Sequence, residues 1–238
     1  MISQKLPVQE QIVSKNVQND TFLVAVQTVK KPEIVRPETT QISPLMNYVI
    51  QELKTGTPEK QMENIYLINK GLNSKAAVQF LDENITNALF DLVNQDTSKL
   101  KKATSTQIKI RQKIEKGEQV SPEQAKKALT LSEQETAERN KVYALATIAK
   151  IQNILYKELT KRTDLKPSFY DMPAAAKIVD EYKNNPDKNI KKASLEALYI
   201  IYKPEFKKDL MPIFEQAATS QNQEISLFAQ DILKVVKN

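Results

Sequence analysis

A stretch of 13 residues near the carboxyl end, NIKKASLEALYII at positions 189–201, decides the fold of this chain. The stretch EISLFAQDILKVV at positions 224–236 repeats its apolar pattern 35 positions later. Apolar residues recur in both at spacings of three and four, the period of an amphipathic helix. A helix pattern that returns at a fixed offset predicts stacked repeats, in which each unit buries its apolar face against the next. The matched positions are Ile190 and Ile225, Ala193 and Phe228, Ala197 and Ile232, Leu198 and Leu233, Ile200 and Val235, and Ile201 and Val236.

Each copy follows a shorter apolar helix, so the repeating unit is a pair of helices. Residues 174–182 precede the first copy and residues 206–218 precede the second. We therefore expect the pairs 173–201 and 204–236 to stack on each other, with Phe214, Leu233, Ile201 and Leu198 largely buried.

These pairs resemble HEAT repeats over residues 173–238. The second helix of a HEAT repeat tends to carry an aspartate, an aliphatic residue and a basic residue before its small and aliphatic positions. The first helix often contains a proline, as Asp209–Phe214 does here at Pro212. The resemblance implies an α-solenoid whose surface binds other proteins. The residues that fit the second helix are Asp187, Ile190, Lys191, Ala193, Ala197, Leu198 and Ile201.

The middle of the chain carries helix signals at short intervals. Ser43, Thr57 and Ser121 each precede a proline, a pairing typical of a helix start. Ser132 opens the longest periodic stretch, which runs to Leu159 over some seven turns. Residues 44–238 are thus predicted to form one all-α body, a helix-pair (HEAT-like) solenoid or superhelix, with a candidate internal junction near residues 97–121.

The second helix of this body is expected to end near Gly71. Ser74 can then cap a third helix that carries Val78, Phe80 and Leu81.

The first 43 residues lack a sustained helical period. Pro32 and Pro37 favour extended backbone, and the β-branched stretch Thr21–Val29 is the best-formed segment. This amino-terminal arm is either flexible, or a strand on the helical body, or a docking peptide that adds to the sheet or groove of a partner.

Composition excludes several kinds of chemistry. The 238 residues include no cysteine, histidine or tryptophan and only three glycines. Thiolate and imidazole catalysis, disulfides and metal sites with nitrogen or sulfur ligands are therefore ruled out. Adjacent carboxylates, as at Asp82 and Glu83, point about 100° apart on a helix and do not converge on one substrate atom. We expect no catalytic residues, no cofactor and no metal, and hence a protein that is not an enzyme.

Charge singles out one segment. The net charge is +6, and residues 99–113 contain six basic side chains and no acid, together with three hydroxyls at 104–106. Such a mixture can bind phosphates, although the segment has no aromatic residue to stack on bases. The other interpretation, which the base rate of charge runs favours, is a solvated connector between two helical halves. The candidate phosphate or acidic-partner contacts are Lys99, Lys101, Lys102, Lys109, Arg111 and Lys113.

Taken together, these patterns favour a non-enzymatic scaffold that binds a protein or peptide partner. The alternative is a nucleic-acid or acidic-partner binder that uses residues 99–113. No apolar run approaches the length of a membrane span or forms a signal-peptide core, so the expected location is the cytoplasm and no membrane partner is expected.

Overall fold

A computed structural model describes residues 43–162 and 167–237, which contain helices and no β-strand. The predicted all-α class is confirmed for them, while the predicted arm lies outside the described residues except for Ser43. None of the described helices combines the length and the apolarity that crossing a membrane requires. The α-helices are α1 (Pro44–Thr55), α2 (Pro58–Leu72), α3 (Glu83–Val93), α4 (Ser105–Glu115), α5 (Pro122–Leu129), α6 (Glu133–Arg162), α7 (Ala175–Asn184), α8 (Lys188–Ile201), α9 (Lys207–Ala218) and α10 (Gln223–Lys237).

Helix α6 is the element on which both ends of this body pack. Its 30 residues extend for about 45 Å, and it contacts α2 and α3 from the amino-terminal part and α8 from the carboxyl-terminal part. Its buried face combines small and branched side chains, which let neighbouring helices approach closely while filling the space between them. The buried apolar residues of α6 are Ala137, Ala144, Leu145, Ile148, Ala149 and Ile151.

The first two helices begin as the sequence predicts. The Ser43 hydroxyl accepts from the Met46 amide at 3.3 Å, and the Thr57 hydroxyl accepts from the Lys60 amide at 3.4 Å. These bonds satisfy amides that have no partner inside the helix, and the proline at each first position needs none.

Two buried or partly buried amides then fix α2 against α6. Asn140 Nδ2 donates to the Pro58 carbonyl at 2.7 Å, and Asn69 Nδ2 donates to the Thr147 hydroxyl at 2.7 Å. Polar pairs of this kind add directionality to an otherwise apolar contact, because a buried polar atom is costly in any register that leaves it unpaired.

The chain after α2 differs from the prediction in detail. Gly71 lies one residue before the end of α2, and the expected third helix is a short 3₁₀ turn, Ala77–Phe80. The Ser74 hydroxyl accepts from the Ala76 amide at 3.1 Å instead of capping an α-helix. The Phe80 ring packs directly over Gly71, so the chain after α2 folds back on α2 through this 3₁₀ turn.

The two carboxyl-terminal helix pairs contact each other, as predicted. Helix α7 packs on α8, α9 packs on α10, and α8 packs on α10. Pro212 lies inside α9, where the sequence places it.

The register of the repeat is visible in the burial of matched positions. Ile190 and Ile225 are both buried, as are Ile201 and Val236. Leu198, Ile201 and Phe214 are buried, as predicted. Leu233 is only partly buried against the core, while its counterpart Leu198 is fully buried. The reason is that α8 is packed by α6, α7 and α10, whereas α10 packs mainly on α8 and α9.

An aromatic cluster joins the end of α6 to the carboxyl-terminal pairs. The Phe206 ring meets those of Tyr156 and Phe169 edge-on, at centroid distances of 5.6 and 5.9 Å. The Tyr156 hydroxyl donates to the Glu205 carboxylate. Burial and this carboxylate raise the pKa of Tyr156 to about 12. The tyrosine therefore stays neutral at physiological pH and acts as a structural donor.

Candidate interaction site

The basic segment identified from the sequence leads into a hairpin of two short helices, α4 and α5. Lys99, Lys101 and Lys102 lie in the loop before α4, and the remaining basic residues lie on α4. Thr104 and Gln107 form a reciprocal capping box that begins α4, and Ser121 and Gln124 form one that begins α5. The helices of the site are thus specified by local sequence.

The turn between these helices follows the same local rules. The Gly117 amide donates to the Ile114 carbonyl at 3.0 Å, and the Glu118 amide donates to the Lys113 carbonyl at 2.9 Å. This pair of bonds is a Schellman motif, and Gly117 supplies the left-handed residue it needs, with φ at 72°.

The hairpin buries very little of its own surface. Helix α4 has no buried residue and α5 has one, Ala128, while each has the other as its main packing partner. Three aliphatic side chains in or just after the hairpin are exposed: Ile108 at 44%, Leu129 at 61% and Leu131 at 39%. A helix pair is ordinarily stabilised by the apolar face it buries, so this pair depends on other contacts.

Arg111 provides those contacts by joining three elements. Its Nε donates to the Ala128 carbonyl at 2.6 Å and its Nη2 to the Thr130 carbonyl at 3.1 Å, near the end of α5. Its Nη1 and Nη2 also donate to the two carboxylate oxygens of Glu135, in the first turn of α6. We call this arrangement the Arg111 clamp. The planar guanidinium can satisfy all these acceptors at once, which a lysine cannot.

The electrostatics of the clamp follow from its geometry. The Arg111 guanidinium lowers the pKa of Glu135 to about 2, with help from the Ser132 amide, which donates to the carboxylate at 2.8 Å. The hydrogen bonds from Arg111 to the Glu135 carboxylate raise the pKa of Arg111. Both groups are therefore fully charged at neutral pH, and Arg111 is engaged within the protein.

Lys101 is also occupied, although more weakly. Its Nζ lies 3.2 Å from a carboxylate oxygen of Glu133, and this contact lowers the pKa of that carboxyl group. The Lys101 side chain is 85% exposed, so the ion pair adds little to stability.

The other four predicted contact residues are exposed cations. Lys99, Lys102, Lys109 and Lys113 form no ion pair with any residue in 43–162 or 167–237. Lys109 and Lys113 lie four residues apart on α4, on the face turned away from α5. Of the six predicted contact residues, Arg111 is held in the clamp and Lys101 is paired with Glu133. The other four side chains are available to a partner.

Sequence reasoning missed Lys116 and the three exposed aliphatic residues. Lys116 is exposed and stands seven positions after Lys109, which places it on the same face of α4. The spacing of Lys109, Lys113 and Lys116 at i, i+4 and i+7 indicates that they share one face of a helix. The predicted segment was chosen because it contains no acid, so it ended at Lys113, before Glu115, and left Lys116 out. Nothing in the sequence distinguishes an exposed Ile108 from a buried one, because both fit a helical period.

No protein family matches this chain, and no curated protein or solved structure shows significant similarity to it.

Proposed function

We propose that this protein is a non-enzymatic helical scaffold that binds a protein partner through the α4–α5 hairpin. The observation that carries the proposal is how little of the hairpin is buried. Ala128 is the single buried residue of α4 and α5, while Ile108 and Leu129 are exposed, as is Leu131 just after α5. Exposed aliphatic groups rimmed by polar residues mark a surface that a partner covers.

The carboxyl-terminal helices support the scaffold part of the proposal. Two helix pairs stack through α8 and α10, and three of the six matched positions are buried in both copies. This arrangement fits a HEAT-like solenoid, a class of architecture that presents extended binding surfaces. In such a scaffold, α6 and the stacked pairs would supply a rigid base, and the hairpin would supply the contact.

Site-specific photocrosslinking in the source cell tests this function. A photoreactive amino acid is placed at Ile108 or Leu129 and, as the matched control, at the exposed apolar positions Leu227 and Val235 of α10. We expect both hairpin positions, and neither control position, to capture one protein of defined mass. Equal capture at all four positions, or capture at none, contradicts the proposal.

A second candidate, a nucleic-acid binder, rests on the four unpaired lysines of the basic segment. Its test is binding to unrelated DNA duplexes at two salt concentrations. A steep fall in affinity at the higher salt supports it, because each phosphate contact releases counterions. No detectable binding at low salt removes it.

A further inference from the structure

Three lysines form one row on the outer face of α4. Lys109, Lys113 and Lys116 are exposed and follow each other at spacings of four and three residues. The row spans about 10 Å along the helix axis. None of the three has an ion-pair partner among the described residues. The Arg111 clamp holds the opposite face of α4, so the row stays turned to solvent.

One apolar group borders this row. Ile108 is exposed on α4, about 100° around the helix axis from Lys109 and about 80° from Lys116. A partner that covers this face must therefore present acidic groups to the lysines and apolar groups to Ile108.

The carboxylates at the tip of the hairpin favour a protein partner over a nucleic acid. Glu115 and Glu118 flank the turn, and Glu123 lies in the first turn of α5. A continuous phosphate backbone passing the row would meet these carboxylates. Residues 99–131 also contain no aromatic side chain on which bases could stack. A protein segment can place its own carboxylates opposite the lysines and its aliphatic groups opposite Ile108.

We infer that the outer face of α4 docks an acidic amphipathic helix, with carboxylates on the Lys109–Lys113–Lys116 row and aliphatic side chains against Ile108. This inference rests on the proposed function and specifies the partner of that site. Glutamates at spacings of three and four residues on the partner would match the spacing of the row.

The test uses the full chain and a fluorescent helical peptide of glutamate and leucine, with glutamates at i, i+4 and i+7. A scrambled peptide of equal charge and a DNA duplex are the comparison probes. We expect the patterned peptide to bind more tightly than the other two. The variant K109E/K113E/K116E should weaken its binding by roughly tenfold or more. The matched control K188E/K207E/K208E reverses three exposed lysines on α8 and α9 and should leave binding unchanged.

Other outcomes separate this inference from the proposed function. Equal binding of the patterned and scrambled peptides, or equal weakening by both triple variants, overturns the docking of a helix on this row. Tighter binding of the duplex assigns the row to nucleic acid instead. If the protein captured by crosslinking at Ile108 binds K109E/K113E/K116E with unchanged affinity, the scaffold function stands and the acidic-helix inference fails. Circular dichroism and the melting temperature establish that each variant is folded.

Discussion

The ring of Phe80 occupies the space that a side chain on Gly71 would need. A Cβ built on Gly71 lies 2.1 Å from two carbons of that ring. The glycine is thus required for packing, in a helical residue with no unusual backbone angle, and the loop after α2 closes against α2 only because no side chain intervenes.

Replacing Gly71 with alanine is therefore expected to destabilise the protein. The overpacking should lower the free energy of unfolding by about 1–3 kcal/mol, even though alanine favours the helix by about 1 kcal/mol. Urea denaturation measures the change. The double variant Gly71→Ala/Phe80→Leu should recover part of the loss, because the smaller side chain can make room. A stability gain in Gly71→Ala would show that the ring moves freely.

Leu198 and Leu233 occupy matched positions of the repeat but should differ in what they contribute. Leu198 is fully buried in α8, and its truncation to alanine should lower the free energy of unfolding by about 2–5 kcal/mol. Leu233→Ala is the matched control, and its effect should be clearly smaller because Leu233 is half-buried. Denaturant titration of the two variants compares them directly; equal losses would contradict the difference in burial.

The Arg111 clamp should control the hairpin without controlling the body. In Arg111→Met the hydrogen bonds to Glu135, Ala128 and Thr130 are lost, and we expect faster amide hydrogen exchange within α4 and α5 but not within α8. Arg111→Lys should behave similarly, because lysine cannot form the fork. Protection that remains unchanged in α4 would show that helix capping alone holds the hairpin.

Acid should weaken the same clamp. The pKa of Glu135 is about 2 in the folded protein, against an ordinary value of 4.5. A lowered folded-state pKa stabilises the protein fully above the ordinary value, and this contribution is lost as the pH falls from about 4.5 towards about 2.

The variant Glu135→Gln isolates this contribution. It should be less stable than the wild type at pH 6, and the difference should shrink as the pH is lowered through that range. The comparison cancels the titration of the other carboxylates, which both proteins share. A difference that stays constant from pH 6 to pH 3 would argue against the ion pair as its source.

Local signals in the sequence predicted the helices well because they act over three or four residues. Ser43, Thr57 and Ser121 begin helices where hydroxyl–proline pairs place them, and the period after Ser132 predicted the long helix α6. Contacts between helices obey no such local rule. The role of Gly71 depends on a ring nine residues away that returns through a 3₁₀ turn.

The sequence predicted only part of the candidate site, again because contacts between helices follow no local rule. Composition pointed to the basic segment, and four of its six cations are exposed and unpaired among the described residues. The sequence does not distinguish Arg111 from an exposed basic residue. Its structural role follows from its hydrogen bonds to Glu135, which lies 24 residues later in the chain.

Helix α6 also determines how the described body can be divided. Helices α2 and α3 pack on this helix, and α8 packs on it too. Neither group of helices can keep its core if α6 frays, so we expect residues 43–162 and 167–237 to unfold in one cooperative transition. Cleavage of the chain within residues 133–162 would expose apolar surface on both fragments, which would then aggregate.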